Sequence, residues 1–238
     1  MVIINADDFG MNERCSRAIA EAFEKGLITH TTMVANGDFF DEGLKLAREK
    51  GFFNRIGLHF NITEGKPLTD DIKAFRDFVS EGRFNKGFSA DKTLTDAERE
   101  AVYKELSAQA DRLSEVGVNI THADSHHYIH TFPDFTPIAE RVCGEKGIKR
   151  LRISYNLGAV TPDEIKKAEE LKKRLRASGF VTTDYFGRLR DFMNGKVPDN
   201  TELIVHPDYD RDGIVIDRRG VADGFAVGDA LRRLTVTD

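Results

Sequence analysis

The chain has little of what marks a secreted, membrane-bound or nucleic-acid-binding protein. Its two cysteines, Cys15 and Cys143, lack the spacing of a metal site, so we expect reduced thiols packed in helices. No apolar run approaches the roughly 20 residues of a membrane span. The formal net charge of -5 gives no reason to expect nucleic acid or an anionic membrane as a partner.

Other sequence features are missing as well. No P-loop or GxGxxG phosphate-binding motif occurs. No repeat, low-complexity segment or linker divides the 238 residues, which predicts a single domain over residues 1–238. No signal peptide separates Met1 from the strand-like run that starts at Val2, so we expect a cytoplasmic protein. Hydrophobic residues make up 40% of the chain, enough for a sizeable core.

Strand and helix patterns alternate along the chain. Strands are predicted at residues 2–6, 27–35, 55–60, 117–120 with a continuation into a histidine cluster, 149–153, 180–183 and 201–205. Helices are predicted at residues 12–26, 38–50, 95–117, 133–146, 161–177 and 221–234. Repeated strand–helix units imply a parallel sheet covered by helices, and about seven strands favour an α/β fold of the closed or nearly closed (β/α) barrel type.

Side chains mark several helix starts. Asn12 is suited to cap the first helix, and Thr95 with Glu98 forms a capping box. Thr161 with Glu164 forms a second one, with a proline at the first helical position. Residues 61–92, in contrast, are polar and aperiodic. A loop insertion of that length in a compact domain is usually functional, as a lid or a binding segment.

A histidine cluster dominates the middle of the sequence. Four of the seven histidines lie between His122 and His130, with an aspartate among them. If the preceding strand continues into the cluster, His122, Asp124 and His126 point to one face. Imidazole and carboxylate groups are ligands of zinc and similar divalent ions. The alternative is a solvated turn that happens to be rich in histidine.

Polar residues also follow other predicted strands. Asp7 and Asp8 come after the first strand, His59 lies near the end of the third, and His206 after the last. In parallel α/β folds, active sites lie at the carboxyl ends of the strands. We therefore expect these side chains to converge with the histidine cluster.

Two adjacent carboxylates repel each other and are costly to bury without a cation. A metal resolves this conflict if one aspartate binds it and the other stays free to accept a proton from water. Taken alone, Asp7 and Asp8 also fit a helix N-terminus, where the macrodipole favours negative charge.

The remaining candidates each allow two interpretations. His59 is a metal ligand or a core histidine with satisfied ring nitrogens. His206 is a proton donor or a hydrogen-bonded capping residue. Arg152 orients a carboxylate such as Asp7 through bidentate bonds, or it forms a surface salt bridge.

Four motifs together resemble the YdjC-like carbohydrate deacetylases, a family that includes chitooligosaccharide deacetylases. They run from Asn5 to Gly10, from Gly57 to Thr63, from His122 to His130 and from Val205 to Pro207, in order and over nearly the whole chain. The resemblance implies a deformed (β/α) barrel and a divalent metal, Mg²⁺ or Zn²⁺. It also implies that the protein removes acetyl groups from N-acetylated sugars, as in chitin degradation.

The resemblance also implies roles for individual residues. It makes Asp8, His59 and His126 the metal ligands. It makes Asp7 the general base and His206 the general acid. Supporting or substrate-contacting positions are then expected at Asp124, Arg152, His122, His130 and Thr63. Tyr128 departs from the pattern, because many members have histidine there; this leaves the ligands intact but puts the downstream histidines and the substrate preference in question.

Two other functions fit parts of the pattern. A metal-dependent phosphoesterase could use a similar Asp/His set, and a non-catalytic sugar-binding protein would need no base. The expected partner is an N-acetylated oligosaccharide, and a homodimer would be an ordinary outcome. Four phenylalanines of the 61–92 insertion either stack on sugar faces or pack the loop onto the barrel; they are Phe75, Phe78, Phe84 and Phe88.

Overall fold

Alternating strands and helices build this protein around one parallel sheet. The computed structural model describes residues 1–85, 87–192, 196–219, 227–229 and 235–237. The strands are β1 (Val2–Phe9), β2 (His30–Met33), β3 (Ile56–Phe60), β4 (Val79–Ser80), β5 (Arg83–Phe84), β6 (His122–Ser125), β7 (Arg150–Leu151), β8 (Tyr185–Arg188), β9 (Lys196–Pro198), β10 (Thr201–Val205), β11 (Pro207–Tyr209), β12 (Val215–Asp217) and β13 (Thr235–Thr237).

Five α-helices of the described residues connect these strands. They are α1 (Glu13–Glu24), α2 (Phe40–Glu49), α3 (Asp96–Glu115), α4 (Thr136–Glu145) and α5 (Pro162–Ala177). Short 3-10 segments occupy Phe53–Arg55, Asp71–Ala74, His126–Thr131 and Leu189–Phe192. The helix predicted at 221–234 lies outside the described residues, apart from 227–229.

The sheet is a half-barrel with the strand order β7-β6-β3-β2-β1-β10-β8. All six pairings are parallel. In a flat sheet, β7 and β10 would lie about 24 Å apart, since neighbouring strands are about 4.8 Å apart. Arg152, just after β7, nevertheless donates a hydrogen bond to Glu202 of β10 at 2.7 Å. The sheet therefore curls until its two sides meet, which confirms the predicted barrel-like fold.

The local signals at the helix starts are confirmed. The Asn12 side chain accepts a hydrogen bond from the backbone N–H of Cys15 at 3.0 Å. Thr95 and Thr161 each form a complete capping box, with Glu98 and Glu164 respectively. These interactions need residues three positions apart and nothing else, so the sequence alone identifies them.

Two predicted strands are wrong in position. Residues 117–120 are not a strand; β6 starts at His122 and ends at Ser125, so His126 lies past the strand in a 3-10 turn. Residues 180–183 contribute an isolated bridge at Val181, while the true edge strand is β8. The first error moves the candidate ligand His126 from a strand to a turn.

The 61–92 segment packs closely against the barrel instead of lying loose over it. It contains the hairpin of β4 and β5 and a 3-10 turn. Phe78 and Phe84 are buried, and Phe75 and Phe88 pack against the core. The packing interpretation of these phenylalanines is therefore confirmed.

Two buried polar side chains of α3 hold the start of this segment. Glu105 accepts backbone N–H bonds from Leu68 at 3.0 Å and Thr69 at 2.8 Å. Gln109 bonds both the N–H and the carbonyl of Asn61, at 2.9 and 2.6 Å. Since these backbone groups have no strand partner, the side chains of α3 replace one.

Both cysteines are buried free thiols, as expected from the sequence. Among the described residues, none of the helices combines the length and the apolar character that a bilayer crossing requires. The cytoplasmic location and the homodimer stay predictions.

A close contact in the centre of the sheet gives a stability prediction. A Cβ atom added at Gly57 would lie 2.6 Å from the ring and the backbone oxygen of His122. We expect Gly57→Ala to lower the free energy of unfolding by about 1–3 kcal/mol, because neither neighbour has room to move. Gly144→Ala is the control, since a Cβ there meets nothing within 4 Å and alanine favours α4. Equal denaturation midpoints for the two variants would contradict the prediction.

Candidate active site and metal centre

A bulge at the end of β1 brings two adjacent carboxylates to the same interior. Side chains of a regular strand alternate between faces, so Asp7 and Asp8 should diverge. Asp8, however, has a φ of 71°, in the left-handed region, and the pairing with β2 shifts register between Ala6 and Phe9. Both aspartates end up buried, with 3% and 1% of their surface exposed. The adjacent pair therefore serves one site, through a strained backbone that sequence patterns do not reveal.

Arg152 holds Asp7 through two hydrogen bonds of 2.8 Å, one to each carboxylate oxygen. Asn5 donates a third, at 2.8 Å. Burial opposes ionisation of Asp7, but Arg152, with smaller contributions from His59 and His206, outweighs it and lowers the pKa to about 2. Asp7 is therefore a fixed, ionised carboxylate at neutral pH.

The same guanidinium also contacts two other carboxyl groups. Arg152 lies 2.6 Å from Asp124 of β6 and 2.7 Å from Glu202 of β10. Burial lowers the pKa of Arg152, but the attraction of Asp124, Asp7 and Glu202 outweighs it and holds that pKa well above its usual value. One buried cation thus joins carboxyl groups from three strands inside the curled sheet.

His59 is oriented by a carboxylate behind it. Its Nδ1 lies 2.6 Å from Asp124 Oδ1, and Thr32 donates a hydrogen bond of 3.0 Å to the other oxygen of Asp124. With the Nδ1–H group directed at Asp124, the Nε2 atom faces Asp8, whose Oδ1 is 3.2 Å away. A carboxylate that orients an imidazole in this way is characteristic of histidines that bind metals.

His126 approaches Asp8 from the turn after β6. Its Nδ1 lies 2.7 Å from Asp8 Oδ1. The next two residues, His127 and Tyr128, have φ values of 52° and 57°, so two consecutive non-glycine residues adopt the left-handed conformation. Such strain persists where surrounding structure enforces it, and here it turns the chain immediately after a candidate ligand.

Asp8, His59 and His126 each offer a ligand atom, and these atoms all lie within 4.8 Å of one another. Neither His59 Nε2 nor His126 Nε2 has a hydrogen-bond partner among the described residues, although both are buried. Burial lowers the pKa of His59, but Asp124 and Asp8 outweigh it and raise the pKa to about 10. Burial also lowers the pKa of His126, but Asp8 outweighs it, so that the pKa is raised. The negative charge of Asp8 and Asp124 favours a cation between these side chains, and the two unbonded Nε2 atoms could bind it. The cluster therefore fits a divalent cation.

Two further residues contact the candidate ligands. Arg218 donates a hydrogen bond of 2.6 Å to Asp8 Oδ2. A carboxylate oxygen of Glu64 lies 3.5 Å from His126 Nε2. Sequence reasoning missed both, because Arg218 lies in a charged run that reads as surface and Glu64 lies in the aperiodic insertion. Thr32 and Asn5 were also missed, although threonine and asparagine inside apolar strands are a detectable signal.

Two neighbouring clefts are lined by candidate site residues. The first, of about 400 Å³, is the metal cleft, lined among others by His126, Glu64 and Arg218. The second, of about 220 Å³, is the His206 pocket, lined among others by His206 and Tyr155. Arg219 borders both. The candidate ligands and the candidate acid therefore open into neighbouring spaces.

His206 is 7% exposed, and its backbone N–H donates to Asp217 at 3.2 Å. Burial, against the attraction of Asp8 and Asp7, lowers the pKa of its imidazole to about 3. His206 is therefore neutral at neutral pH in the protein alone.

Three of the predicted residues mainly contact protein. His122 donates from Nε2 to Asn5 at 3.2 Å, and burial keeps its pKa well below the usual value. His130 donates from Nε2 to the carbonyl of Arg152 at 3.1 Å. Thr63 bonds His127 at 3.0 Å. These contacts position Asn5, Arg152 and the histidine turn, so their contribution to the site is indirect.

The buried arginine gives a prediction about stability. Arg152→Met keeps the length of the side chain but leaves three buried carboxyl groups without their cation. We expect the free energy of unfolding to fall by about 3–5 kcal/mol at neutral pH, measured by denaturant unfolding. Arg17→Met, which removes an exposed pair with Glu13, should change it by less than about 1 kcal/mol. A neutral effect of Arg152→Met would mean that the carboxyl groups do not depend on Arg152.

Comparisons with known proteins identify the family and the fold of this chain. The family model of the YdjC-like protein matches residues 1–234. Chitooligosaccharide deacetylases of Salmonella paratyphi C and Salmonella typhimurium are 30% identical over 219 residues, covering 88% of this chain and 82% of each relative. A crystal structure from Enterococcus faecalis V583, of a protein described as a cellobiose-phosphate cleavage protein, is 21% identical, with a TM-score of 0.70 over 98% of this chain and 89% of that one. The chain belongs to the YdjC-like family.

Proposed function

We propose that this protein is a metal-dependent carbohydrate deacetylase that hydrolyses the acetamide of N-acetylated sugars of the chitooligosaccharide type. One observation carries the proposal: the β1 bulge gives Asp7 and Asp8 different partners inside one site. Asp8 faces two histidines, whereas Asp7 faces Arg152 and Asn5. We therefore assign cation binding to Asp8 and proton transfer to Asp7, whose hydrogen bonds come from Arg152 and Asn5.

In this proposal Asp8, His59 and His126 hold the metal, and Asp124 fixes the ring of His59. A divalent ion there, Mg²⁺ or Zn²⁺, would polarise the acetamide carbonyl and lower the pKa of water. Arg218 balances the second oxygen of Asp8, at 2.6 Å. Because Arg218 engages this oxygen, Oδ1 is the oxygen of Asp8 that faces the two histidines.

Asp7 serves as the general base. It stays ionised at neutral pH, because Arg152, His59 and His206 together outweigh its burial and lower its pKa to about 2. The bidentate bonds fix the plane of the carboxylate, so the oxygen that accepts the proton of the attacking water does not have to be reoriented. Arg152 also keeps positive charge beside a group that becomes neutral when it takes up that proton.

His206 serves as the general acid that protonates the amine nitrogen when the C–N bond breaks. This role requires a protonated imidazole, whereas burial holds its pKa at about 3 in the protein alone. The bound substrate and the negative charge that develops during the attack must therefore raise that pKa. Since the His206 pocket lies beside the metal cleft, such charge would develop next to the ring.

The metal site gives the first test of this proposal. We expect elemental analysis of dialysed protein to find one divalent ion per chain, and much less in His59→Ala and His126→Ala. Asp124→Asn should weaken metal binding by about 10–100-fold, because the ligand ring loses its orienting carboxylate. His30→Ala, a histidine outside the ligand set, is the control and should bind metal as the wild type does. Full metal content in His126→Ala would reject His126 as a ligand.

The second test separates the base from the ligands. Asp7→Asn should keep its metal but lose about 10²–10⁴-fold in the rate of acetate release from N-acetylglucosamine oligomers. Asp163→Asn, at an exposed site on α5, should retain the wild-type rate. Phosphate release from sugar phosphates, without acetate release, would favour a phosphoesterase. Binding of chitobiose without any product would favour a sugar-binding protein.

A further inference from the structure

Two tyrosines separate the His206 pocket from a larger space outside it. Tyr128 and Tyr155 line the 220 Å³ pocket on one side. The same two residues line a groove of about 700 Å³ on the other side, which we call the outer groove. Its lining includes Phe132, Leu171 and Lys167. The aromatic pair is thus a wall between two cavities.

Several contacts hold this wall in place. The hydroxyl groups of Tyr128 and Tyr155 hydrogen-bond each other, and their rings meet at 5.1 Å. Tyr155 is stacked on Phe186 at 4.7 Å, and the guanidinium of Arg188 lies 4.0 Å above its ring. Tyr128 owes its direction to the left-handed backbone of the histidine turn, with a φ of 57°. Tyr155 is therefore fixed by stacking, and Tyr128 closes the gap.

We propose that Tyr128 and Tyr155 form the end wall of the substrate site and restrict deacetylation to a terminal sugar unit. This inference rests on the proposed function and adds the position of the reacting unit to it. The His206 pocket is below the roughly 300–1,000 Å³ of sites that enclose drug-sized ligands, so it accommodates one sugar ring and no second ring behind it. The outer groove has room for further units but is blocked from the pocket by the tyrosines.

The aromatic and charged side chains that line the outer groove suit a sugar as its occupant once the wall is removed. It places the tyrosine rings and Phe132 beside charged groups that include Glu164 and Lys167. Aromatic faces suit the apolar faces of pyranose rings, and charged groups suit their hydroxyls. Because both cavities are lined by Tyr128 and Tyr155, removal of one tyrosine ring would join the groove to the pocket that holds the candidate acid.

The test compares substrates of different length. N-acetylglucosamine dimer and trimer are supplied to the metal-loaded wild type and to Tyr128→Ala, and acetate release and the deacetylated position are measured. We expect the ratio of kcat/KM for trimer over dimer to rise about tenfold or more in Tyr128→Ala, with internal units newly deacetylated. Tyr128→Phe keeps the ring and should keep the wild-type ratio and position. Tyr103→Ala, which removes a tyrosine on α3 away from the three cavities, is the matched control.

Two further measurements keep the inference separate from the proposed function. Tyr128→Leu also opens the wall and replaces the alanine variant if that one does not fold. The glucosamine dimer and trimer cannot be deacetylated, so their affinities by calorimetry report the wall without turnover. If the wild type releases no acetate, the proposed function fails, and with it the restriction of deacetylation to a terminal unit. A rise in the affinity of Tyr128→Ala for the trimer relative to the dimer would then still support the tyrosines as the end wall of the site, and no rise would overturn that as well. An unchanged ratio and an unchanged position in the opened variants would overturn the inference.

Discussion

The buried guanidinium of Arg152 is the interaction on which both the fold and the site depend. It follows β7 at one side of the sheet and bonds Glu202 of β10 near the other, so it spans the interior of the curled sheet. It also bonds Asp7 and Asp124, which lie on the strands between them. Carboxyl groups at this density would be costly to bury without a central cation. One charge arrangement therefore connects the two sides of the curled sheet and keeps Asp7 ionised.

Strain is concentrated where donor groups must converge. Asp8, His127 and Tyr128 adopt left-handed φ values, which cost of order 1–3 kcal/mol each for residues with side chains. The first brings a second carboxylate of β1 into the interior, and the other two turn the chain after His126. Regular strands alternate their side chains and cannot place neighbours on one face. The strained positions thus solve a geometric problem that the parallel sheet creates.

The sequence predicts the features that depend on local chemistry or on strand ends. Thr95 and Thr161 identify helix starts, and β10 has the predicted bounds because a buried apolar run ends at a polar residue. It does not predict β8, whose Tyr185 is exposed and whose Gly187 has no side chain, so that the strand shows no alternation. Nor does it predict the bond from Arg218 to Asp8, which joins residues 210 positions apart through the tertiary fold. Local patterns place the strand ends, but the packing of loops against them sets the final contacts.

This division separates the chemistry of the site from its boundaries. Asp7, His59, Asp124 and Arg152 lie on or directly after strands of the sheet, where neighbouring strands restrict them. Tyr128 and the insertion that carries Glu64 lie on loops, which tolerate change better than strands do. A loop residue can therefore change the volume next to His206 without moving the carboxylates or Arg152. For that reason the departure of Tyr128 from the family pattern concerns the boundary of the His206 pocket, whereas Asp7, His59 and Asp124 are held by the sheet.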